Sequence, residues 1–194
     1  GVLDVPNHRK IHDKVTPQMG GLAIFIGAFI GGLYLQPHHE HLPEILAGAV
    51  IILMTGLLDD RFQLRPVVKL TGQFIATSLL ISSGLIIERL TLPVIGTVEL
   101  GIASVLVTVI WVIGITNAIN LIDGLDGLAT GVSTIALTSL FFMALIDGQQ
   151  IAAYLSIVLI GANIGFLFHN FYPASIYMGD TGSNFLGFMI AVVS

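Results

Sequence analysis

The feature that most constrains this chain is a series of apolar runs, most of them close to the length of a membrane-spanning helix, separated by short polar segments. A helix needs roughly 20 mostly apolar residues to cross the hydrocarbon of a bilayer. Only 10% of the 194 residues are charged, against about 25% in an ordinary soluble domain. The mean hydropathy of +0.94 agrees with that contrast. The sequence therefore predicts an integral membrane protein and excludes disordered and nucleic-acid-binding classes.

We expect an all-α fold, a polytopic transmembrane helix bundle of about seven spans. The predicted spans are residues 20–35, 43–58, 67–87, 102–122, 125–146, 151–168 and 185–193. Residues 89–100 alternate loosely around a proline and a glycine, which predicts a small extracytoplasmic β-hairpin. No linker or internal repeat interrupts the chain, so we predict a single integral membrane catalytic domain over residues 1–194.

Charge gives the predicted bundle an orientation. If each run crosses once, successive loops alternate between the two faces, and six of the seven Lys and Arg residues fall on one face. They are Arg9, Lys10, Lys14, Arg61, Arg65 and Lys69. The positive-inside rule assigns this face to the cytoplasm. Every polar motif described below lies on the same face, which predicts one composite site there.

Two adjacent acids, Asp59 and Asp60, close an apolar run. Ionised groups at or within a membrane span are costly and usually functional, although a solvated helix end is the plainer alternative. Neighbouring carboxylates repel each other, which favours either a bound cation or a raised pKa on one of them. Either outcome suits a general base or a magnesium-phosphate site.

The second motif places four polar side chains at intervals of three: Asn117, Asn120, Asp123 and Asp126. Residues at this spacing share one side of a helix. Carboxylate and amide oxygens are hard ligands that suit Mg²⁺ or Mn²⁺ rather than zinc. Interhelical hydrogen bonds are the alternative reading of the same stripe.

A third polar insertion contains Asp180, flanked by Gly179 and Gly182. Glycine lets the backbone approach a ligand closely, and residues 181–183 are placed to open a helix whose free N–H groups favour a phosphate. Tyr177 suits stacking on a base or a place at the membrane interface.

Basic residues form the remaining candidates. Arg9, Lys10, His12 and Lys14 cluster before the first span. Such clusters set topology or meet anionic lipids, and beside acidic loops they also suit an anionic substrate such as a nucleotide diphosphate. Lys69 lies three residues into a span, where it either snorkels or, with Gln73 on the same helical face, reaches a lipid phosphate.

The residues alone therefore predict phosphoryl chemistry, with a divalent metal, on a substrate shared between water and membrane. An ion-coupled transporter is the alternative from another class, but it would place its acids near mid-membrane rather than at helix ends. An intramembrane aspartyl protease would leave the asparagine stripe unexplained. The chain contains no cysteine, which excludes disulfides and cysteine nucleophiles.

Four segments resemble the polyprenyl-phosphate N-acetylhexosamine-1-phosphate transferases, bacterial glycosyltransferase family 4, in order across the whole chain. They read DVPNHRKIHDKVTPQMGG, LLDDR, NAINLIDGLDGLATG and FYPASIYMGDTGSNFLG. The resemblance implies Mg²⁺-dependent transfer, with Mn²⁺ as a substitute, of a sugar-1-phosphate from a UDP-sugar to undecaprenyl phosphate, with release of UMP. It also implies a multi-pass protein of the bacterial plasma (inner) membrane, with its active site on the cytoplasmic face. Family members are often homodimers.

Within the family, RKIH after DVPN is similar to the branch that uses UDP-N-acetylglucosamine (UDP-GlcNAc). That branch starts teichoic acid linkage units, O-antigen or enterobacterial antigen. The peptidoglycan branch, which uses UDP-MurNAc-pentapeptide, is the alternative. The family also has a first helix before these motifs, and further C-terminal helices with a His-rich loop. The resemblance therefore implies that the chain is an internal fragment.

The resemblance assigns roles to the acids. It implies that Asp180 is the principal Mg²⁺ ligand, and that Asp123 or Asn120 is a second ligand or a diphosphate contact. Asp59 and Asp60 correspond to the pair that activates the lipid phosphate or helps to hold the metal. Direct attack by the lipid phosphate and a covalent aspartyl intermediate both remain open.

The other implied residues contact the substrates. Asp126 and Tyr177 match positions that hold the uracil, and Asn170 matches an asparagine near the nucleotide. Lys69 falls where a lysine approaches the lipid phosphate, and Lys14 falls near the basic residue before the Pro-Gly-Gly block. The predicted substrate-binding set also includes Asn117, Arg9, Lys10 and His12.

Overall fold

The structure is a computed structural model that describes residues 3–4, 16–35, 37, 39–92 and 96–194. These residues form seven α-helices and two small antiparallel strand pairs. The helices are α1 (Gly20–Leu35), α2 (Leu42–Phe62), α3 (Pro66–Ser82), α4 (Ser104–Ile122), α5 (Leu128–Ile146), α6 (Gln150–Asn170) and α7 (Gly179–Val193). The strands are β1 (Leu3–Asp4), β2 (Thr16–Pro17), β3 (Arg89–Leu92) and β4 (Gly96–Glu99). The predicted helical membrane bundle with a small hairpin is confirmed.

Four helical stretches are long and apolar enough to cross a membrane by length and composition: Leu42–Phe62, Gly101–Ile122, Leu128–Ile146 and Gln150–Asn170. The second of these stretches begins with a 3₁₀ turn, Gly101–Ala103, that leads into α4. Helices α1 and α3 are apolar but shorter. Large apolar side chains on the outer faces are exposed, as expected where lipid rather than protein is the neighbour.

The prediction misplaced two boundaries that matter for function. Helix α2 continues beyond residue 58, so that Asp59 and Asp60 lie in its last turns, and Gln63 ends it in the left-handed conformation at φ 50°. Helix α7 begins at Gly179 rather than at residue 185, which puts Asp180 in its first turn. Hydropathy marks the apolar part of a span, whereas a helix continues into polar residues wherever its backbone hydrogen bonds are satisfied.

Other boundaries follow from local chemistry. Proline stands in the first turn of both α2 and α3, a position where its missing N–H costs nothing. Helix α3 ends at Ser82 instead of 87 because the chain turns there and Gly84 takes φ 91°. Helix α5 starts at Leu128 rather than 125 because Gly127, at φ 71°, precedes it in the left-handed conformation.

Helix α7 is the central element of the bundle. Most of its residues are buried, and it packs against α1, α2 and α4. Glycines allow this close packing: a Cβ placed on Gly21 would lie 2.1 Å from the Gly182 nitrogen, and one on Gly56 would lie 2.5 Å from Thr181 Cα. The bundle therefore holds the first turn of α7, and Asp180 with it, between two glycine-lined helices.

The hairpin predicted over residues 89–100 is present. Strands β3 and β4 pair antiparallel with Arg89 opposite Glu99 and Leu92 opposite Gly96, and their side chains are exposed. A second pair joins β1 to β2, with Leu3 opposite Pro17. The hairpin follows the end of α3 opposite to Lys69, so it lies at the other end of the bundle from the acidic residues.

Candidate active site

Three helices bring together an ionic cluster at one end of the bundle. The Lys69 Nζ lies 2.6 Å from Asp59 Oδ2 and 2.8 Å from Asp180 Oδ2. The Asp59 side chain is 6% exposed, whereas that of Asp180 is 33% exposed. Charges that leave water need partners, and one lysine serves both acids here. Asp180 is therefore the acid of this cluster that a ligand reaches from outside.

Helix α4 supplies the next contact. Asn120 Nδ2 donates to Asp180 Oδ1 at 2.6 Å and to Ser183 Oγ at 2.9 Å. Both oxygens of Asp180 are thus bonded, one to Lys69 and one to Asn120. A carboxylate held from two sides is fixed in direction, which is the arrangement that metal and phosphate sites require.

Asp60 faces a different way from Asp59. Its Oδ1 accepts from the Asp180 N–H at 2.7 Å, and its Oδ2 accepts from the Thr181 N–H at 3.0 Å and from Thr181 Oγ1 at 2.5 Å. The first N–H groups of a helix lack partners within the helix, and no side chain of the preceding residue caps α7. A carboxylate from α2 therefore caps α7, which also complements the helix dipole.

Asp123 ends α4 and is partly exposed. Burial, followed by the charges of Asp180 and Asp60, raises its pKa to about 7. Within the described part of the chain, its carboxylate has no hydrogen-bond partner, unlike those of Asp59, Asp60 and Asp180. With respect to the described residues, Asp123 is therefore the acid of the site that a ligand reaches without breaking an existing hydrogen bond.

The oxygen atoms near Asp180 are of the type that coordinates Mg²⁺. Among the described residues, no three His, Asp or Glu side chains form a preassembled metal site. Mg²⁺ commonly uses only one or two carboxylates and takes its remaining ligands from water and substrate phosphates. The carboxylates of Asp180 and Asp123, with the amide oxygen of Asn120, have the chemistry for that mode of binding.

The loop between α6 and α7 is tied down by two residues for which the sequence predicts contact with the nucleotide. Asp126 Oδ2 accepts from the Ala174 N–H at 2.9 Å. Asn170 is buried, accepts from Thr130 Oγ1 at 2.7 Å, and donates to the Ile176 carbonyl at 3.0 Å. In the structure both side chains shape the loop, and their direct contact with a nucleotide stays a prediction.

Backbone bonds join this loop to the segment before α1. The Tyr177 N–H donates to the Pro17 carbonyl at 2.9 Å, and the Tyr177 carbonyl accepts from the Gly20 N–H at 3.0 Å. Gly21 N–H donates to the Met178 carbonyl at 2.9 Å. The residues just before Asp180 are thus fixed from α1 as well. The predicted basic residues Arg9, Lys10, His12 and Lys14 lie outside the described residues.

Sequence reasoning named residues 181–183 only as a helix start for a phosphate and missed Asn184, whereas Asp60 accepts from the N–H groups of Asp180 and Thr181. Thr181 and Ser183 contact Asp60 and Asn120, and Asn184 Nδ2 donates to the carbonyl of Asp180 at 2.8 Å. The sequence marks Gln73 only as a neighbour of Lys69, yet it pairs with Asn117. The available signal was the spacing from the acid: Asn184 follows Asp180 by four residues, so both share one helical face.

Known proteins show extensive similarity to this chain. The profile described as glycosyl transferase family 4 matches residues 42–194. A probable undecaprenyl-phosphate N-acetylglucosaminyl 1-phosphate transferase of Bacillus subtilis (strain 168) is 47% identical over 199 residues, covering 100% of this chain and 55% of the relative. A decaprenyl-phosphate N-acetylglucosaminephosphotransferase of Mycobacterium tuberculosis (strain ATCC 25618 / H37Rv) is 37% identical over 215 residues, covering 100% and 53%.

Similarity extends to a second kind of enzyme. A phospho-N-acetylmuramoyl-pentapeptide-transferase of Lacticaseibacillus paracasei is 35% identical over 203 residues, covering 94% of this chain and 62% of the relative. The chain thus spans between about half and three fifths of the length of these curated relatives.

Proposed function

The chain belongs to glycosyl transferase family 4, the family that its motifs resemble. We therefore propose that this multi-pass membrane protein transfers N-acetylglucosamine-1-phosphate from UDP-GlcNAc to a polyprenyl phosphate. UMP is the released product. The observation that carries the proposal is the Asp180 carboxylate, partly exposed and held between Lys69 and Asn120 at the end of an apolar bundle. A site so placed is open both to a water-soluble donor and to a lipid phosphate.

The branch is proposed from the relatives. The Bacillus subtilis relative, at 47% identity, is named for N-acetylglucosaminyl 1-phosphate transfer. The pentapeptide transferase of Lacticaseibacillus paracasei is 35% identical. The relatives also differ in their lipid, which is undecaprenyl phosphate in one name and decaprenyl phosphate in another. We propose undecaprenyl phosphate as the acceptor, and the first membrane step of a cell-wall or surface glycan as the place of the reaction.

In the proposed reaction, an oxygen of the lipid phosphate attacks the β-phosphorus of the UDP-sugar. A new phosphorus–oxygen bond joins lipid and sugar phosphate, while the bond from the β-phosphorus to the bridging oxygen breaks and UMP leaves with the electron pair. A phosphate monoester is largely dianionic at pH 7, because its second pKa is about 6. The attack therefore depends less on a base than on orientation and on charge neutralisation.

The side chains divide that work. Lys69, which pairs with Asp59 and Asp180, would offer its ammonium group to the acceptor phosphate. Both oxygens of Asp59, Asp60 and Asp180 accept bonds, which fixes the direction of each carboxylate. Bound through Asp180 and Asp123, Mg²⁺ would supply positive charge at the diphosphate. A homodimer stays a prediction.

The test uses the full-length protein in detergent with undecaprenyl phosphate, Mg²⁺ and either UDP-GlcNAc or UDP-MurNAc-pentapeptide. We expect release of UMP that requires the lipid and occurs with UDP-GlcNAc only. Release of UMP from UDP-MurNAc-pentapeptide alone would assign the protein to the peptidoglycan branch and would leave the proposed type of reaction unchanged. Absence of lipid-dependent UMP from either donor, in protein that elutes as a folded species, would overturn the proposal. Asp180→Asn, prepared in parallel, is the inactive control.

A further inference from the structure

A second layer of polar side chains lies one helical turn deeper in the membrane than the ionic cluster. Gln73 follows Lys69 by four residues on α3, Asn117 precedes Asn120 by three on α4, and Asn184 follows Asp180 by four on α7. Residues at these spacings share one helical face. Lys69, Asn120 and Asp180 each therefore have one amide side chain a single turn away on the same face of their own helix.

The three amides bond to each other across the helices. Asn117 Nδ2 donates to Gln73 Oε1 at 2.7 Å, and Gln73 Nε2 donates to Asn184 Oδ1 at 3.2 Å and, with a longer contact of 3.4 Å, to Asn117 Oδ1. Gln73 is thus the central member, bonded to both neighbouring helices. Asn184 then donates from Nδ2 to the backbone carbonyl of Asp180, which connects this layer to the acid itself.

Because the amides are buried, their hydrogen bonds favour one relative position of the helices over any shifted one. Gln73 is 2% exposed and Asn184 is 4% exposed. An amide that loses its partner in an apolar surrounding has no water to replace it, so sliding or rotation of α3 against α7 leaves buried groups unpaired. A shift of one turn would also separate Lys69 from Asp180. The amide layer therefore penalises the same displacements that would dismantle the ionic cluster.

We propose that Gln73, Asn117 and Asn184 form a positioning layer that fixes the register of α3, α4 and α7 and thereby aligns Lys69, Asn120 and Asp180 for catalysis. These are positioning residues, since their side chains bond to one another and to the backbone carbonyl of Asp180. The predicted contact of Asn117 with a substrate stays a prediction. The inference rests on the proposed function for its catalytic readout, and the metal-binding readout below is independent of it.

The test introduces Gln73→Leu and Asn184→Leu, singly and together, into the full-length protein. Residues that orient ligands of a metal or substrate typically change affinity or activity by about 10–100-fold, and we expect losses of that size in kcat for each single variant. The thermal transition in detergent should move by only a few degrees. Binding of Mn²⁺ without substrates, followed by electron paramagnetic resonance, should weaken in parallel because Asp180 is no longer held in one direction.

The double variant decides whether the residues act as one unit. If they do, the two changes together will cost little more than the larger single loss. Multiplicative losses would mean independent roles and would overturn the proposal. Full kcat and unchanged Mn²⁺ affinity in Gln73→Leu would overturn it as well.

Asn163→Leu is the matched control. Asn163 is a fully buried amide on α6, and neither its Oδ1 nor its Nδ2 has a hydrogen-bond partner in the part of the chain that the structure describes. Helix α6 contributes no residue to the ionic cluster, so we expect this variant to keep its kcat and its Mn²⁺ affinity. An equal loss in Asn163→Leu would show that any buried amide matters and would overturn the specific role of the layer. If the wild type releases no UMP, the Mn²⁺ measurements still test the layer, so the two proposals fail separately.

Discussion

At the scale of single residues, adjacent positions in the sequence have different partners in space. The sequence predicts Asp59 and Asp60 as one pair, yet Asp59 bonds to Lys69 while Asp60 bonds to the first N–H groups of α7. Successive residues on a helix point about 100° apart, so a tandem acid in α2 necessarily faces two neighbours. The sequence could predict that both acids matter, but it could not identify the helix that each one meets.

Substitution of the two acids separates these roles. Asp60→Asn places an amide NH₂ group against N–H donors of α7, and loss of a helix cap costs about 0.5–2 kcal/mol. We expect a lower thermal transition in detergent together with reduced activity. Asp59→Asn keeps the α7 cap, so we expect it to reduce UMP release with a smaller change in the thermal transition. A larger loss of stability in Asp59→Asn than in Asp60→Asn would contradict this assignment.

Asp123, whose carboxylate has no hydrogen-bond partner among the described residues, leads to a prediction about pH. The pKa of Asp123 is raised to about 7 by burial and by Asp180 and Asp60, so the metal-free protein holds a proton there below that pH. A cation that binds Asp123 must displace this proton. Mn²⁺ affinity should therefore rise with pH, by up to about tenfold per pH unit below pH 7, and level off above it. Titrations at pH 6, 7 and 8 followed by electron paramagnetic resonance measure this, and Asp123→Asn should flatten the curve.

At the scale of elements, the site depends on how closely helices approach the start of α7. The apolar runs predicted helices, and the interhelical hydrogen bonds given as the alternative reading of the asparagine stripe are present at Asn117 and Asn120. The close contact of Gly56 with Thr181 was not predictable, because a glycine inside a span reads equally well as a weak helix position or as a packing site. The sequence predicted that residues 181–183 open a helix, but it could not show that the helix begins at Gly179, because the acid that caps it, Asp60, is distant in the chain.

Gly56→Ala tests this close packing. The new Cβ would lie 2.5 Å from Thr181 Cα and 2.8 Å from the Asp180 carbonyl oxygen, so backbone must move. Overpacking of this kind costs about 1–3 kcal/mol, and the displaced turn carries Asp180. We expect a lower thermal transition and lost activity. Gly114→Ala on α4 is the matched control, because nothing lies within 4 Å of its Cβ, and it should be neutral or slightly stabilising. Equal effects in both variants would contradict the packing argument.

At the scale of the whole molecule, the alternation of loops between two faces is enough to bring the acidic motifs to one end of the bundle. The structure places Asp59, Lys69, Asn120 and Asp180 together there. The prediction from the sequence agrees with the structure because helices that cross the membrane can end only at one of its two faces, so each loop lies at one face or the other. The lateral order of helices has no such constraint. The packing of α3 on α4, and the side-chain bonds that join α3 to α7, are therefore visible only in the packed bundle.

The same alternation predicts the orientation of the protein in its membrane. Ser175, in the loop before α7, and Thr97, on β4, are both exposed and lie at opposite ends of the bundle. The positive-inside rule places Ser175 at the cytoplasm and Thr97 outside. The chain has no cysteine of its own, so Ser175→Cys and Thr97→Cys each introduce one thiol into it, once any cysteine elsewhere in the full-length protein has been replaced.

A membrane-impermeant maleimide reads the orientation from these two variants. In right-side-out vesicles we expect labelling of the hairpin thiol at position 97 only, and in inverted vesicles labelling of the loop thiol at position 175 only. Labelling of both thiols after detergent is added is the control for their reactivity. The reverse pattern would put Asp180 and Lys69 on the outer face, out of reach of a cytoplasmic UDP-sugar. It would therefore overturn the proposed donor together with the orientation, because the nucleotide and the site must share one side of the membrane.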